Sequence, residues 1–167
     1  YDACEAATVL FLGRHGAAMR AKAASPADML SMLTRIASLL PTQTRRSEES
    51  ESLQQFSTPI GLAYVASVAA AITPADVVLE PSAGTGHLAV LAELAGASLV
   101  LNEFAESRAG VLGQLFPAVS TTRFDAAHIN DHLDGRIVPS VVLMNPPFSA
   151  AVHVDRRVAD AALRHVA

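Results

Sequence analysis

The stretch Val77-Val78-Leu79-Glu80-Pro81-Ser82-Ala83-Gly84-Thr85-Gly86-His87 decides the fold. Its three leading apolar residues predict a short buried strand, and the apolar segment from His87 to Ala95 predicts a helix, with a glycine-bearing turn between them. Glycines in such a turn adopt backbone conformations closed to other residues and let a ligand approach the main chain, at the carboxyl edge where open α/β sheets bind their ligands. No Lys-Ser/Thr pair follows the glycines as in a P-loop, and Ala89 stands where a dinucleotide fingerprint has its third glycine. Alanine is tolerated there, so spacing alone leaves a dinucleotide open. Glu80, however, puts a carboxylate at the mouth of the loop, where it repels a pyrophosphate and attracts a cation.

Working outward, helix and strand patterns alternate. Leu99-Val100-Leu101 predicts a second strand, Ala105 to Leu115 a helix, Val119 to Arg123 a third strand and Val141 to Met144 a fourth. Upstream, Pro59 to Ile72 reads as a helix capped by Thr58. Short apolar strands separated by helices imply βαβ units, so the fold class is α/β with a Rossmann-like parallel sheet. Further towards the N-terminus, Asp2 to Lys22 has helical spacing, and Ser25-Pro26-Ala27-Asp28 opens a second helix reaching about Leu40. The expected organisation is an N-terminal helical accessory hairpin over 1–40, a polar linker over 41–52 (PTQTRRSEESES) and the main domain over 53–167. The sheet is expected to stop after its fourth strand.

The totals set bounds. At 167 residues the chain is long enough for a sizeable core. It is 51% hydrophobic with mean hydropathy +0.33, yet no apolar run approaches the roughly 20 residues of a membrane span, and no signal pattern opens it. Cytoplasmic residence is the expectation. The single cysteine, Cys4, excludes an intramolecular disulfide and a cysteine-built zinc site. His87, His128, His132 and His153 form no recognised ligand pattern, so no metal is expected. A net charge of −4 argues against a strongly basic nucleic-acid surface but leaves DNA open as a substrate if another region supplies the phosphate contacts.

Two acidic residues after the later strands narrow the ligand. Glu103 stands at the end of the second strand, roughly 20 residues past the glycines, where a carboxylate accepts both ribose hydroxyls. Asp125, after the third strand, suits an adenine amino group, while the neighbouring Phe124 reads as core. The implied ligand is a nucleoside without phosphates but with a charged amino-acid tail, S-adenosylmethionine (SAM). After the fourth strand comes Asn145-Pro146-Pro147-Phe148, which suits a site that grips a planar amino group. An Asn amide offers an acceptor oxygen, Pro has no N–H to compete for it, and an aromatic ring gives a stacking face.

These segments together resemble the amino-group methyltransferases of the class I SAM-dependent superfamily, particularly the DNA adenine-N6 enzymes. Leu53-Gln54-Gln55-Phe56-Ser57-Thr58-Pro59 resembles the upstream motif, Glu80 to Gly86 the glycine motif, Glu103 the ribose acid, Asp125 the adenine acid and Asn145 to Phe148 the catalytic motif. The resemblance implies Asn145, Pro146, Pro147 and Phe148 as catalytic residues. It implies Phe56, Thr58, Pro59, Glu80, Pro81, Ser82, Gly84, Gly86, Glu103, Asp125 and Asn145 as the SAM site, and DNA as partner. More narrowly, QQFSTP, EPSAGTG and VVLMNPPFS are similar to the methyltransferase-like region ahead of the helicase in large strawberry-notch-type and phage antirestriction proteins, which makes a helicase region of the same gene product a further expected partner. Two alternatives stand beside this reading: a protein glutamine methyltransferase, whose motif also grips a planar amide, and a non-catalytic SAM-binding or scaffold module.

Overall fold

The computed structural model describes residues 2–40 and 56–146; Pro147, Phe148 and the 41–52 segment lie outside the described residues. Two helices open the chain, α1 (Asp2–Lys22) and α2 (Pro26–Ser38). Ser25 caps α2 by accepting from the Asp28 N–H, and Pro26 sits at the first turn, where its missing donor costs nothing. Next come α3 (Ile60–Ala69), β1 (Val77–Glu80), α4 (His87–Leu94), β2 (Ser98–Asn102) and α5 (Glu106–Leu115). The chain continues through β3 (Thr121–Thr122), a 3₁₀ turn at Ala126–His128, α6 (Ile129–His132) and β4 (Val141–Val142).

All four strands are parallel, in the order β3-β2-β1-β4. From β1 the chain steps outward through β2 and β3, then returns to the other side of β1 for β4. The reversal between β1 and β4 is the topological switch point, the crevice where open α/β sheets hold ligands. Ser140 fixes that junction at the opposite edge: its hydroxyl donates to Asp76 at 2.7 Å and accepts from the Val77 N–H at 3.1 Å.

Val9 and Leu12 of α1 and Met29 and Leu33 of α2 are buried in the same core as Val78 of β1, Val90 of α4 and Leu101 of β2. α1 lies against α4 and α5, and Gly16 makes this possible because a Cβ there would meet the Leu94 side chain. Arg20 donates to the Leu94 carbonyl at 2.7 Å, closing the end of α4.

Local departures from the sequence expectations have local causes. At α3 the residue flanking the first turn is Pro59, with no side-chain cap; the Thr58 carbonyl instead faces His87 Nδ1 at 2.8 Å. The third strand is confined to Thr121–Thr122, since the Val119 N–H bonds back to Phe116 and the Phe124 N–H bonds to the Asn102 side chain. Phe124 is half-buried and stacks on His132, with ring centroids 4.2 Å apart.

Candidate functional site

The loop between β1 and α4 is tied down from three directions. The Ala83 N–H donates to the Asn102 carbonyl at 2.9 Å and the Gly84 N–H to Glu103 Oε2 at 2.7 Å. From the other side, the Thr85 hydroxyl donates to Glu5 Oε2 of α1 at 2.7 Å. Gly86 has φ +88°, and a Cβ there would collide with the Phe116 ring, so two independent constraints demand glycine. Gly84, at φ +57°, is also in the left-handed region, and a built Cβ there would meet Arg108 Nη1 at 3.6 Å, an ordinary contact.

Glu103 follows β2, 5% exposed, and its second oxygen accepts from the Ala105 N–H at 2.9 Å. Each carboxylate oxygen has two lone-pair positions, so both keep one for ribose hydroxyls. Asp125 is exposed after β3, with Oδ1 accepting from the Ala127 N–H at 3.0 Å. Glu80 departs from the expectation of a charge at the loop's mouth. It ends the central strand, only 2% exposed, and its Oε2 has no partner. Burial holds its carboxyl well above the usual range; the Ala89 N–H draws it partly back and the Glu103 charge pushes it further up.

At the end of β4, Asn145 donates from Nδ2 to the Phe56 carbonyl at 2.9 Å. A carbonyl can only accept, so this bond assigns the amide's orientation and commits Oδ1 to acceptance. Pro146 beside it is half-buried. The 56–59 segment therefore runs from Asn145 to Thr58, whose carbonyl meets His87 at the start of α4. Phe56, Thr58, Pro59, Glu80, Pro81, Ser82, Gly84, Gly86, Glu103 and Asn145 thus gather around the carboxyl ends of β1, β2 and β4, with Asp125 beyond the end of β3.

Four parallel strands in this order, with the loop at the switch point, have a counterpart among solved structures. The chain is similar to the crystal structure of PH1948 from Pyrococcus horikoshii, a candidate RNA methyltransferase, with TM-score 0.58, 24% identity, and coverage of 80% of this chain and 67% of that one. The two share a fold, a Rossmann-like parallel α/β sheet with helices packed on it. No family model and no curated protein matches the sequence.

Within this fold, several residues that hold the site were missed by sequence reasoning. Asn102, 1% exposed, donates to the carbonyls of Pro81 (2.9 Å) and Phe124 (2.8 Å) and accepts from the Phe124 N–H and the Thr122 hydroxyl, both at 2.8 Å. One amide thereby ties the loops after β1 and β3 to the end of β2. Glu5 and the Arg108–Asp2 pair (3.2 Å) add supports from α1. A polar residue ending an apolar strand was the only signal for Asn102. For Glu5 there was none.

Proposed function

We propose that this chain is a SAM-dependent methyltransferase domain acting on the N6 amino group of adenine in DNA. The observation that carries the reading is the orientation of Asn145, whose Nδ2 is held by the Phe56 carbonyl and whose Oδ1 is free to accept. The donor set fits the cofactor: Glu103 retains lone pairs for ribose hydroxyls, Asp125 suits an adenine amino group, and Gly84 puts no side chain between a ligand and the main chain. Phe56, Thr58 and Pro59 would flank its methionine end. Bound SAM supplies a methyl group on a positively charged sulfur.

The target nitrogen is a weak nucleophile because its lone pair is delocalised into the base. Accepting its two hydrogens at Asn145 Oδ1 and the Pro146 carbonyl favours tetrahedral geometry and stabilises the positive charge that develops there. Phe148 would stack on the extruded base, which leaves the duplex at a cost of a few kcal/mol. With a net charge of −4 the chain has little of its own to offer phosphates, and in this reading a helicase region of the same gene product supplies those contacts.

The test is transfer from methyl-labelled SAM to DNA, RNA and protein by the protein containing this domain, followed by digestion and product analysis. N6-methyladenine from DNA is expected, abolished by Asn145→Ala while SAM binding stays within about threefold, because Asn145 acts on the target amino group. The description of PH1948 makes RNA the second nucleic acid to include. Methylglutamine would point to a protein substrate instead, and tight SAM binding without any transfer to a scaffold module.

A further inference from the structure

A cavity of about 250 Å³ opens between the last turns of α1, α3 and α4 and the start of α2. Glu5, near the start of α1, meets the glycine loop ahead of α4, and Arg20, near its end, meets Leu94, so the two helices run the same way. The cavity therefore lies a helix length from the candidate site, about 12 Å for the eight residues of α4. Its floor is apolar, with Met29 and Leu91 buried and Ile72 and Leu94 half-buried. Three polar side chains also line it, those of Arg20, Tyr64 and Ser67, and among the described residues no acidic one does. A serine inside a helix ordinarily bonds back to the carbonyl one turn earlier, as Ser31 and Thr34 do in α2. Ser67 makes no such bond: it is 8% exposed, and neither its hydroxyl nor that of Tyr64 has a hydrogen-bond partner among the described residues. A hydroxyl so far from bulk water calls for a partner. On the rim, Ala71 has φ +49° just past the end of α3, where helices commonly place glycine, and strained residues of this kind gather at ligand sites.

Arg20 decides the charge of what fits. Its Nη1 donates to the Leu94 carbonyl at 2.7 Å, which holds the guanidinium at the rim, and among the described residues it forms no ion pair. A guanidinium presents its N–H donors as a planar fork that matches a carboxylate, and most of them remain here. Size sets the rest: an apolar cavity of about 150 Å³ takes benzene, so this one leaves room for a short arm beyond a single ring. We infer that the cavity is a separate binding site for a small carboxylic acid whose apolar body is about the size of one ring. The body lies on Met29 and Leu91, Arg20 takes the carboxylate, and the Ser67 and Tyr64 hydroxyls are available to its oxygens. An amine in the same place would meet the guanidinium charge with no acid to offset it. The inference is independent of the SAM reading, since no residue of this cavity belongs to the set gathered at the carboxyl ends of the strands.

The experiment titrates the chain and Arg20→Gln with phenylacetate and with its neutral amide, phenylacetamide, following backbone amide shifts by NMR. Glutamine keeps an N–H for the Leu94 carbonyl but loses the charge. For a molecule of about ten non-hydrogen atoms, a Kd of about 1 mM or below is expected for phenylacetate, with the amide weaker by about fivefold or more. Arg20→Gln should bring the two within about twofold of each other, and the shifts should fall on residues 64–72 and 91–95. Equal binding of acid and amide by the unmodified chain, a preference that survives in Arg20→Gln, shifts centred on residues 83–86, or no binding at about 10 mM would each overturn the inference. Should Arg20→Gln fail to fold, the acid-over-amide preference and the shift map of the unmodified chain decide the matter alone. A parallel titration with S-adenosylhomocysteine keeps the two readings apart: its failure would remove the SAM site and leave the carboxylate site standing.

Discussion

Asn102 shows what a single amide can hold. Replacing it by leucine leaves the Pro81 and Phe124 carbonyls and the Phe124 N–H without their partner in a site that is 1% exposed. Unsatisfied buried groups cost about 1–3 kcal/mol each, so Asn102→Leu is expected to lower stability by roughly 3 kcal/mol or more, read from urea unfolding. Glu80 gives a pH-dependent counterpart. Its folded pKa lies above the ordinary glutamate value of 4.5, so the native state holds its proton more tightly than the unfolded chain does. The associated stability is complete below 4.5 and is lost as pH rises through the folded value. Glu80→Gln should therefore gain melting temperature on the parent chain progressively above that pH, with a constant difference below it; a difference flat across all pH would show that the carboxyl is solvated. Glu103 and Asn145 were legible in the sequence because each follows a strand within a recognisable spacing. Asn102 was not, since a polar side chain at a strand end has the same appearance whether it meets water or clamps two loops.

At the scale of elements, glycine decides how closely helices approach. Gly16 brings α1 onto Leu94, and Gly86 turns the chain into α4 over the Phe116 ring. Gly86→Ala adds backbone strain at φ +88° to a collision with an aromatic side chain, and a loss of roughly 2–5 kcal/mol is expected in chemical denaturation. An unchanged midpoint would mean that Phe116 can move aside at no cost. Periodicity located every described helix and strand except the short α6, because apolar runs separated by Gly, Pro and Asn are strong signals. Strand ends were less legible: β3 keeps only two residues, since its neighbours spend their backbone groups on a turn and on the Asn102 side chain, while β4 is as short although the Ser140 and Leu143 N–H groups on either side of it still bond to the Val77 and Leu79 carbonyls. Such partners come from distant parts of the chain and leave no trace in local sequence.

The whole molecule follows from one reversal of direction. β1 to β3 advance to one side, β4 returns to the other, and the described residues singled out after the strands arrive at the same edge. That much was legible, because alternating helices and strands with a glycine loop leave few topologies. The contribution of α1 was not: nothing within 2–22 signals that Glu5 will meet Thr85, or that Asp2 will meet Arg108. Among the described residues no helix is long and apolar enough to cross a membrane.

The bond between Glu5 and Thr85 closes a separation of 80 residues. Contacts that distant are slow to form, because the entropy of closing the intervening chain must be overcome before they contribute. A ribosome releases α1 before β1, and Glu5 must wait for β1 and the glycine loop to be synthesised and folded. The loop thus reaches its final shape only when these earlier and later parts of the chain have met. Ligand affinity then reports on the completeness of folding, and a ligand that favours the closed loop would in turn hold the N-terminal helix in place.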